Sequence, residues 1–194
     1  MEIERPPTLA RPNAVVLVEG MSDRFALETL AGRHGRNLGA EGISIVPMGG
    51  ATRIARFVEL FGPRGLDTRL AGLCDVGEEG YFRRALERAG LGSDLTRTGT
   101  EALGFYVCVA DLEDELIRSL GAAAVERLVD AESELASFRI FQNQPAQRRR
   151  SIEAQLRRFL GTRSGRKTRY ASLLVNALDL TKVPRPLDLL LARL

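Results

Sequence analysis

The stretch Ala14-Val15-Val16-Leu17-Val18-Glu19-Gly20-Met21-Ser22-Asp23 decides how the chain is read. Five apolar residues without alternation are followed by an acid, a glycine and, one turn on, a second acid. A continuous apolar run of this length suits a strand covered on both faces, as in a parallel sheet. The acid at its end falls where ligands gather in open α/β sheets, outside the carboxyl ends of the strands.

Working outward, Ser22 to Arg33 reads as a helix that Ser22 caps, with Phe25, Leu27 and Leu30 as apolar positions. Ile43 to Met48 reads as a second strand, ended by Gly49-Gly50, with Thr52 to Phe61 helical behind it. Leu70 to Cys74 is a third strand with helix Glu78 to Ala89, and Phe105 to Ala110 a fourth with helix Leu112 to Leu120. This alternation implies βαβ crossovers: an α/β fold with a four-stranded parallel sheet flanked by helices. From Ala122 the pattern turns helical, over Ala122 to Ser137, Ser151 to Leu160, Tyr170 to Leu178 and a last short helix to Leu194. No internal repeat is present. The expected organisation is an α/β core over residues 1–120 and a basic helical C-terminal extension over 121–194.

Composition narrows the function classes. At 194 residues, 44% hydrophobic and 27% charged, the chain has the make-up of a globular domain, which excludes wholesale disorder and collagen-like structure. Ala14 to Val18 is far short of the roughly 20 apolar residues of a membrane helix, so no membrane partner is expected. Met1 to Pro12 carries Glu2 and Glu4 and has no apolar core of a secretory signal. Cys74 and Cys108 lack the spacing of a zinc site or a disulfide framework, and the default compartment is the cytoplasm. His34 is the only histidine, so a site needing two imidazoles is excluded; it reads as a surface or cap residue.

Charge is split along the chain. From Arg139 onward there are 13 Lys and Arg against 3 Asp and Glu, a net of +10, whereas residues 1–138 carry 15 against 22, a net of −7. An acidic front and a basic tail suit a metal or acid site beside an anion-binding surface; solvated helix faces give the same pattern. The acids themselves are placed tellingly. Strand one ends in Glu19 with Asp23 one turn on, strand three in Asp75, and strand four in Asp111-Leu112-Glu113. Crowded carboxylates repel unless something cationic neutralises them. Without His or Cys, the natural partner is a hard divalent ion, Mg2+ or Mn2+. Asp75 and Asp111 also fit the plainer role of helix N-caps.

The string from Val15 to Asp23 resembles the first motif of the Toprim domain, found in topoisomerases, bacterial primases and related nucleases, and a Toprim core is Rossmann-like. The nearer resemblance is to the C-terminal Toprim part of the overcoming lysogenization defect (OLD) family nucleases. Ile45-Val46-Pro47-Met48-Gly49-Gly50 is similar to their second strand and glycine turn, Leu73-Cys74-Asp75 to their third strand, and Asp111 to Leu116 to their later acidic motif. Ser164-Gly165-Arg166-Lys167, the helix after it and Val183-Pro184-Arg185-Pro186-Leu187 are similar to their closing lysine segment.

The resemblance implies a divalent-metal-dependent nuclease, an endonuclease hydrolysing DNA phosphodiester bonds, in phage defence or DNA repair. No strand–P-loop–helix segment is found in this sequence, so the chain is expected either to act alone or to borrow an ATPase from a separate subunit, and a homodimer stays open. Glu19 would be the essential acid, ligating metal or handling the proton at the scissile phosphate; Asp23, Asp75 and Glu113 would hold one or two Mg2+ or Mn2+ ions, and Lys167 would stabilise charge on the phosphate. Lys167 is one of only two lysines beside 26 arginines. One departure matters: the Asp-x-Asp usual at the third strand is Asp75-Val76-Gly77-Glu78-Glu79, with Gly77 for the second aspartate. Glu78 could reach the same ion; equally, Glu78 and Glu79 fit as first-turn helix acids.

Arg148, Arg149, Arg150, Arg166 and Arg169 are the candidate nucleic-acid-binding residues, within an arginine-rich tail that also holds Arg157, Arg158 and Arg163. Aromatic interleaving is too sparse for a single-strand stacking platform. Gly161-Thr162-Arg163-Ser164-Gly165-Arg166-Lys167-Thr168 has three residues between its glycines where a phosphate loop has four, with Arg166 intervening before the lysine. Gly49-Gly50 fits either a plain turn or a phosphate site at a helix start. The alternative to a nuclease is a catalytically silent Toprim module that binds nucleic acid or a partner; a primase-like nucleotidyl transferase would need a template-binding module that the sequence does not offer.

Overall fold

The computed structural model describes residues 12–194, so Pro6, Pro7 and nearly all of the Met1–Pro12 lead lie outside the described residues. Strand β1 spans Ala14–Val18, β2 Ile43–Pro47, β3 Arg69–Asp75 and β4 Phe105–Cys108. They form one parallel sheet in the order β2-β1-β3-β4. Every residue of β1 is buried, as its unbroken apolar run requires, because both of its neighbours are strands and both faces are covered. Successive side chains point to opposite faces. Val15 and Leu17 pack with Met48, Ile54, Val58, Phe82 and Phe105 on one side; Val16 and Val18 pack with Leu27, Leu30, Leu116 and Leu174 on the other. Gly72 of β3 allows the close register with β4, since a Cβ there would lie 2.7 Å from the Phe105 ring and 2.9 Å from the Leu17 carbonyl oxygen.

Helix α1 spans Met21–Arg33; a 3-10 turn at Ala51–Arg53 runs into α2, Ile54–Phe61; α3 spans Glu79–Arg88. A short α4, Arg97–Ala102, was not expected from the sequence: its Thr96 cap is followed by Arg-Thr-Gly-Thr, which carries no apolar periodicity. Then come α5 Leu112–Leu120, α6 Ala122–Ala131, α7 Leu135–Gln142, α8 Ile152–Leu160, α9 Arg166–Ala177 and α10 Arg185–Arg193. The single helix expected over Ala122 to Ser137 is two helices, broken at Ser133, whose φ of 59° is left-handed. No described helix is long and apolar enough to cross a membrane.

The division expected at residue 120 does not separate two cores. Helix α9 lies along α1: Arg33 Nη1 donates to the carbonyls of Val175 and Leu178, both at 2.7 Å, at the end of α9, where the Val175 carbonyl also accepts the Leu178 N–H at 3.2 Å. Thr29 donates to Ser172 at 3.0 Å, and Leu174, Val175, Leu187 and Leu190 belong to the same apolar cluster as Val16. Residues 121–194 therefore form part of one face of the sheet's covering layer. The α/β class and the four parallel strands stand as expected.

Candidate functional site

The chain order places the site. From β1 the chain crosses to β2 at one edge, then returns past β1 to β3, so the topology reverses between β1 and β3. Such a reversal leaves a crevice at the carboxyl ends of the strands. Glu19 follows β1 and Asp75 ends β3, and Glu19 Oε1 accepts the Asp75 N–H at 3.1 Å. The turn after β2 closes over the same point. Gly49 and Gly50, at φ 73° and 119°, both donate their N–H groups to the Glu19 carbonyl at 3.0 and 3.1 Å. Those amides are spent on the chain itself, so Gly49-Gly50 is a plain turn.

A cleft of about 250 Å3 opens here, lined by Glu19, Gly20, Ser22, Asp23, Gly50, Asp75, Asp111, Leu112, Glu113 and Lys167. Gly20, not Ser22, precedes α1, and Asp23 reaches back to accept the Gly20 N–H at 2.8 Å. Asp111 caps α5 by accepting the Asp114 N–H at 2.8 Å, and its second oxygen accepts from Arg157 Nε at 2.7 Å. Lys167, in the first turn of α9, donates to Glu113 Oε2 at 2.8 Å. Glu113 is 3% exposed, and its other oxygen is buried with no hydrogen-bond partner among the described residues.

Burial governs the electrostatics. It pushes the Asp75 carboxyl up to about 8, helped by the charges of Glu19, Asp111, Asp23 and Glu113. It pushes Asp23 up to about 7 despite the Gly20 hydrogen bond, with Glu113 and Glu19 adding repulsion. Glu19 is raised by burial against the lowering effect of the Asp75 N–H. Burial disfavours the Lys167 ammonium, yet Glu113 beside it, with Asp111 and Asp75, leaves its pKa raised. The cleft holds carboxylates short of positive charge.

The five expected metal ligands are not all brought together. Glu19, Asp23, Asp75 and Glu113 share the cleft, but Glu78 does not line it: Glu78 sits in the turn before α3, near enough only for its charge to raise Glu19. Among the described residues no three Asp, Glu, His or Cys side chains converge on one ion. Glu19, Asp23 and Glu113 each commit one oxygen to a nearby donor, which leaves the other oxygen of each as the one available to an ion. The orphaned Glu113 oxygen and the raised Asp75 and Asp23 fit an oxygen-seeking divalent ion. Such an ion would be held by one or two carboxylates with water completing the shell, as Mg2+ commonly is.

The arginines divide. Arg148, Arg149 and Arg150 are exposed. Arg166 is corrected: at 4% exposure it is a core residue, donating to the Phe159 carbonyl, Thr162 and Glu134 with its guanidinium 4.0 Å over the Phe159 ring. Arg169 is half exposed and paired with Glu132 and Glu134. Gly165 precedes α9 in the left-handed region after α8, with no strand before it, so this glycine segment is a helix–helix turn. The contact missed in sequence is Arg157 with Asp111, between residues 46 apart, which no local spacing could reveal.

Residues 12–76 match the family model described as overcoming lysogenization defect protein-like, TOPRIM domain. Among solved structures, the C-terminal region of the Burkholderia pseudomallei OLD protein is similar at 20% identity and a TM-score of 0.72, covering 93% of this chain and 96% of that one. The C-terminal region of the Xanthomonas campestris pv. campestris OLD protein is similar in two structures. One, phased with mercury, has 24% identity, covers 95% of both chains and has a TM-score of 0.72; the other, phased with platinum, has 23%, 93% and 91%, and 0.74. No curated protein matches the chain.

Proposed function

We propose that this Toprim domain, related in fold to OLD C-terminal regions, is a divalent-metal-dependent nuclease acting on DNA phosphodiesters. The observation that carries the reading is the cleft at the topological switch point, where half-buried and buried carboxylates that end or follow three strands face one lysine. In hydrolysis a water oxygen bonds to phosphorus, the bond to the leaving sugar oxygen breaks, that leaving oxygen takes up a proton from solvent, and a proton passes from the attacking water to a base. Glu19, whose carboxyl burial lifts above its ordinary range, takes that proton. Lys167 offsets the charge that builds on the phosphate oxygens, and Glu113 holds the ammonium in place. A bound Mg2+ or Mn2+ supplies Lewis-acid stabilisation of the same charge. With this reading go the expectations of an ATPase partner and a setting in phage defence or DNA repair.

A second reading, a silent binding module, is favoured by Gly77 in place of the second aspartate and by carboxylates that do not converge three to an ion. Supercoiled plasmid with Mg2+ or Mn2+ separates the two. Nicking that falls at least about a hundredfold in Glu19→Gln and Lys167→Ala supports the nuclease; binding with no nicking by any variant supports the silent module.

A further inference from the structure

Arg157 stands between two clefts. From α8 it lines a cavity of about 470 Å3 that Ser151 and Arg118 also border, while its partner Asp111 lines the carboxylate cleft. Arg157 Nε donates to Asp111 Oδ2 at 2.7 Å, and the other Asp111 oxygen is fixed by the α5 cap. Asp111 is 8% exposed and so rigidly seated, whereas the Arg157 side chain is 40% exposed. Its two terminal nitrogens make no hydrogen bond among the described residues. A guanidinium held at Nε keeps its terminal amines as a planar fork that matches two oxygens of one phosphate.

Charge points the same way. Burial works against the Arg157 cation, but the bond to Asp111 and the charges of Asp111, Asp114 and Asp75 outweigh it. Arg157 and Lys167 are thus both within electrostatic reach of Asp75. A polyanion approaching five carboxylates is repelled unless cations at the rim receive it. Lys167 is engaged by Glu113; the Arg157 fork is open.

We propose that Arg157, positioned by Asp111, grips the phosphodiester next to the one lying in the carboxylate cleft, so that the nucleic-acid backbone runs from the cleft across α8 towards Arg148–Arg150. The proposal rests on the phosphodiester reading of the cleft. Because the gripped phosphate does not react, the contact favours ground and transition states alike and acts on KM, not kcat.

The test uses the full chain and a short fluorescein-labelled DNA duplex carrying one neutral methylphosphonate at successive positions, with binding read by anisotropy in chelator so that no cleavage competes. Wild type should lose about tenfold in affinity at one position. Arg157→Ala should lose about the same on the unmodified duplex, become indifferent to that position and show a salt slope smaller by about 1. Arg157→Lys should restore the slope but not the affinity, lacking the fork. Arg157→Gln, which can still donate to Asp111, replaces the alanine variant if that one unfolds. Wild-type affinity in Arg157→Ala, or an unchanged methylphosphonate profile, overturns the proposal even if plasmid is nicked. An Arg157-dependent profile without nicking sustains it and removes catalysis instead. Failure of wild type to bind duplex at all in chelator overturns the proposal, and the plasmid assay with Mg2+ or Mn2+ then decides the nuclease reading alone.

Discussion

Two regions of this domain bury charge, and they do it in opposite ways. Around Glu134 the charges are closed on one another. Its Oε1 takes Arg166 at 3.1 Å; its Oε2 takes the Tyr170 hydroxyl at 2.9 Å and Arg169 at 3.0 Å. Burial alone would lift the Glu134 carboxyl, but the bonds from Tyr170 and Arg166 leave it lowered. At the cleft rim, Asp23 and Asp75 are pushed up, Glu113 keeps a buried oxygen without a partner, and the positive charge present is Lys167 and the edge of Arg157. The first region pairs its charges as folded and, among the described residues, leaves only the Arg166 Nε–H buried without a partner. The second is complete only with a cation or protons from outside, which is what a binding site looks like energetically.

Removing the acid of the closed region should give the largest effect. Glu134→Ala leaves Arg166, 4% exposed, without its counter-charge, and is expected to cost about 3–5 kcal/mol in urea unfolding with an unchanged slope. A loss under about 1 kcal/mol would mean that the ion pair is no more than a surface contact.

Next in size is the effect of filling the open region. At pH 8, Mn2+ at about a hundred times its dissociation constant should stabilise the wild type by about 2.7 kcal/mol. Asp75→Asn and Glu113→Gln should lose most of that increment in thermal melts. Variants around Glu134, in whatever way they shift the midpoint, should keep it. Equal stabilisation of Asp75→Asn would place the ion elsewhere.

The pH dependence should show the two regions as opposite limbs of one curve in metal-free buffer. Asp23 and Asp75 have folded values of about 7 and 8. Unfolded aspartate lies near 3.9. The native state therefore binds more protons between those values, and stability falls as pH rises through them, by about 1–2 kcal/mol given the solvent on the cleft side. Glu134 is lowered on folding, so its contribution is present above the unfolded value and is lost as pH falls through the folded one. Asp75→Asn should flatten the alkaline limb alone and Glu134→Gln the acid limb alone, read as urea midpoints across the pH range.

The two regions also differ in how much of them the sequence disclosed. Strands were legible because burial on two faces writes an unbroken apolar run, and β1 is buried at all five positions. Strand ends then located Glu19, Asp75 and Glu113, since topology alone brings the ends of neighbouring parallel strands to one rim. The closed region was not legible. Arg166 and Lys167 are adjacent cations, and a basic-patch argument treats them alike, yet one step of about 100° around a helix sends Arg166 into the core and Lys167 into the cleft. Glu134 was hidden by the expectation of one long helix through Ser133, whose left-handed turn aims it at α9. Tertiary contacts, such as Asp111 with Arg157, leave no mark in local spacing.

The smallest expected effect on the metal-free fold comes from completing the rim by mutation. A Cβ at Gly77 would meet nothing within 4 Å, and the residue is outside the left-handed region, so Gly77→Asp fits without strain. It adds one more negative charge near Asp75 and Glu19, in a turn open to solvent, and should cost no more than about 0.5 kcal/mol without metal. With Mn2+ the sign reverses, because affinity for a hard ion rises with the number of charged oxygens available, and titration calorimetry should show about tenfold tighter binding. A Glu134→Ala background should leave that gain intact while lowering the melting point. An unchanged Mn2+ affinity would show that residue 77 faces away from the ion, and that Gly77 is a turn residue whose lost carboxylate the cleft never needed.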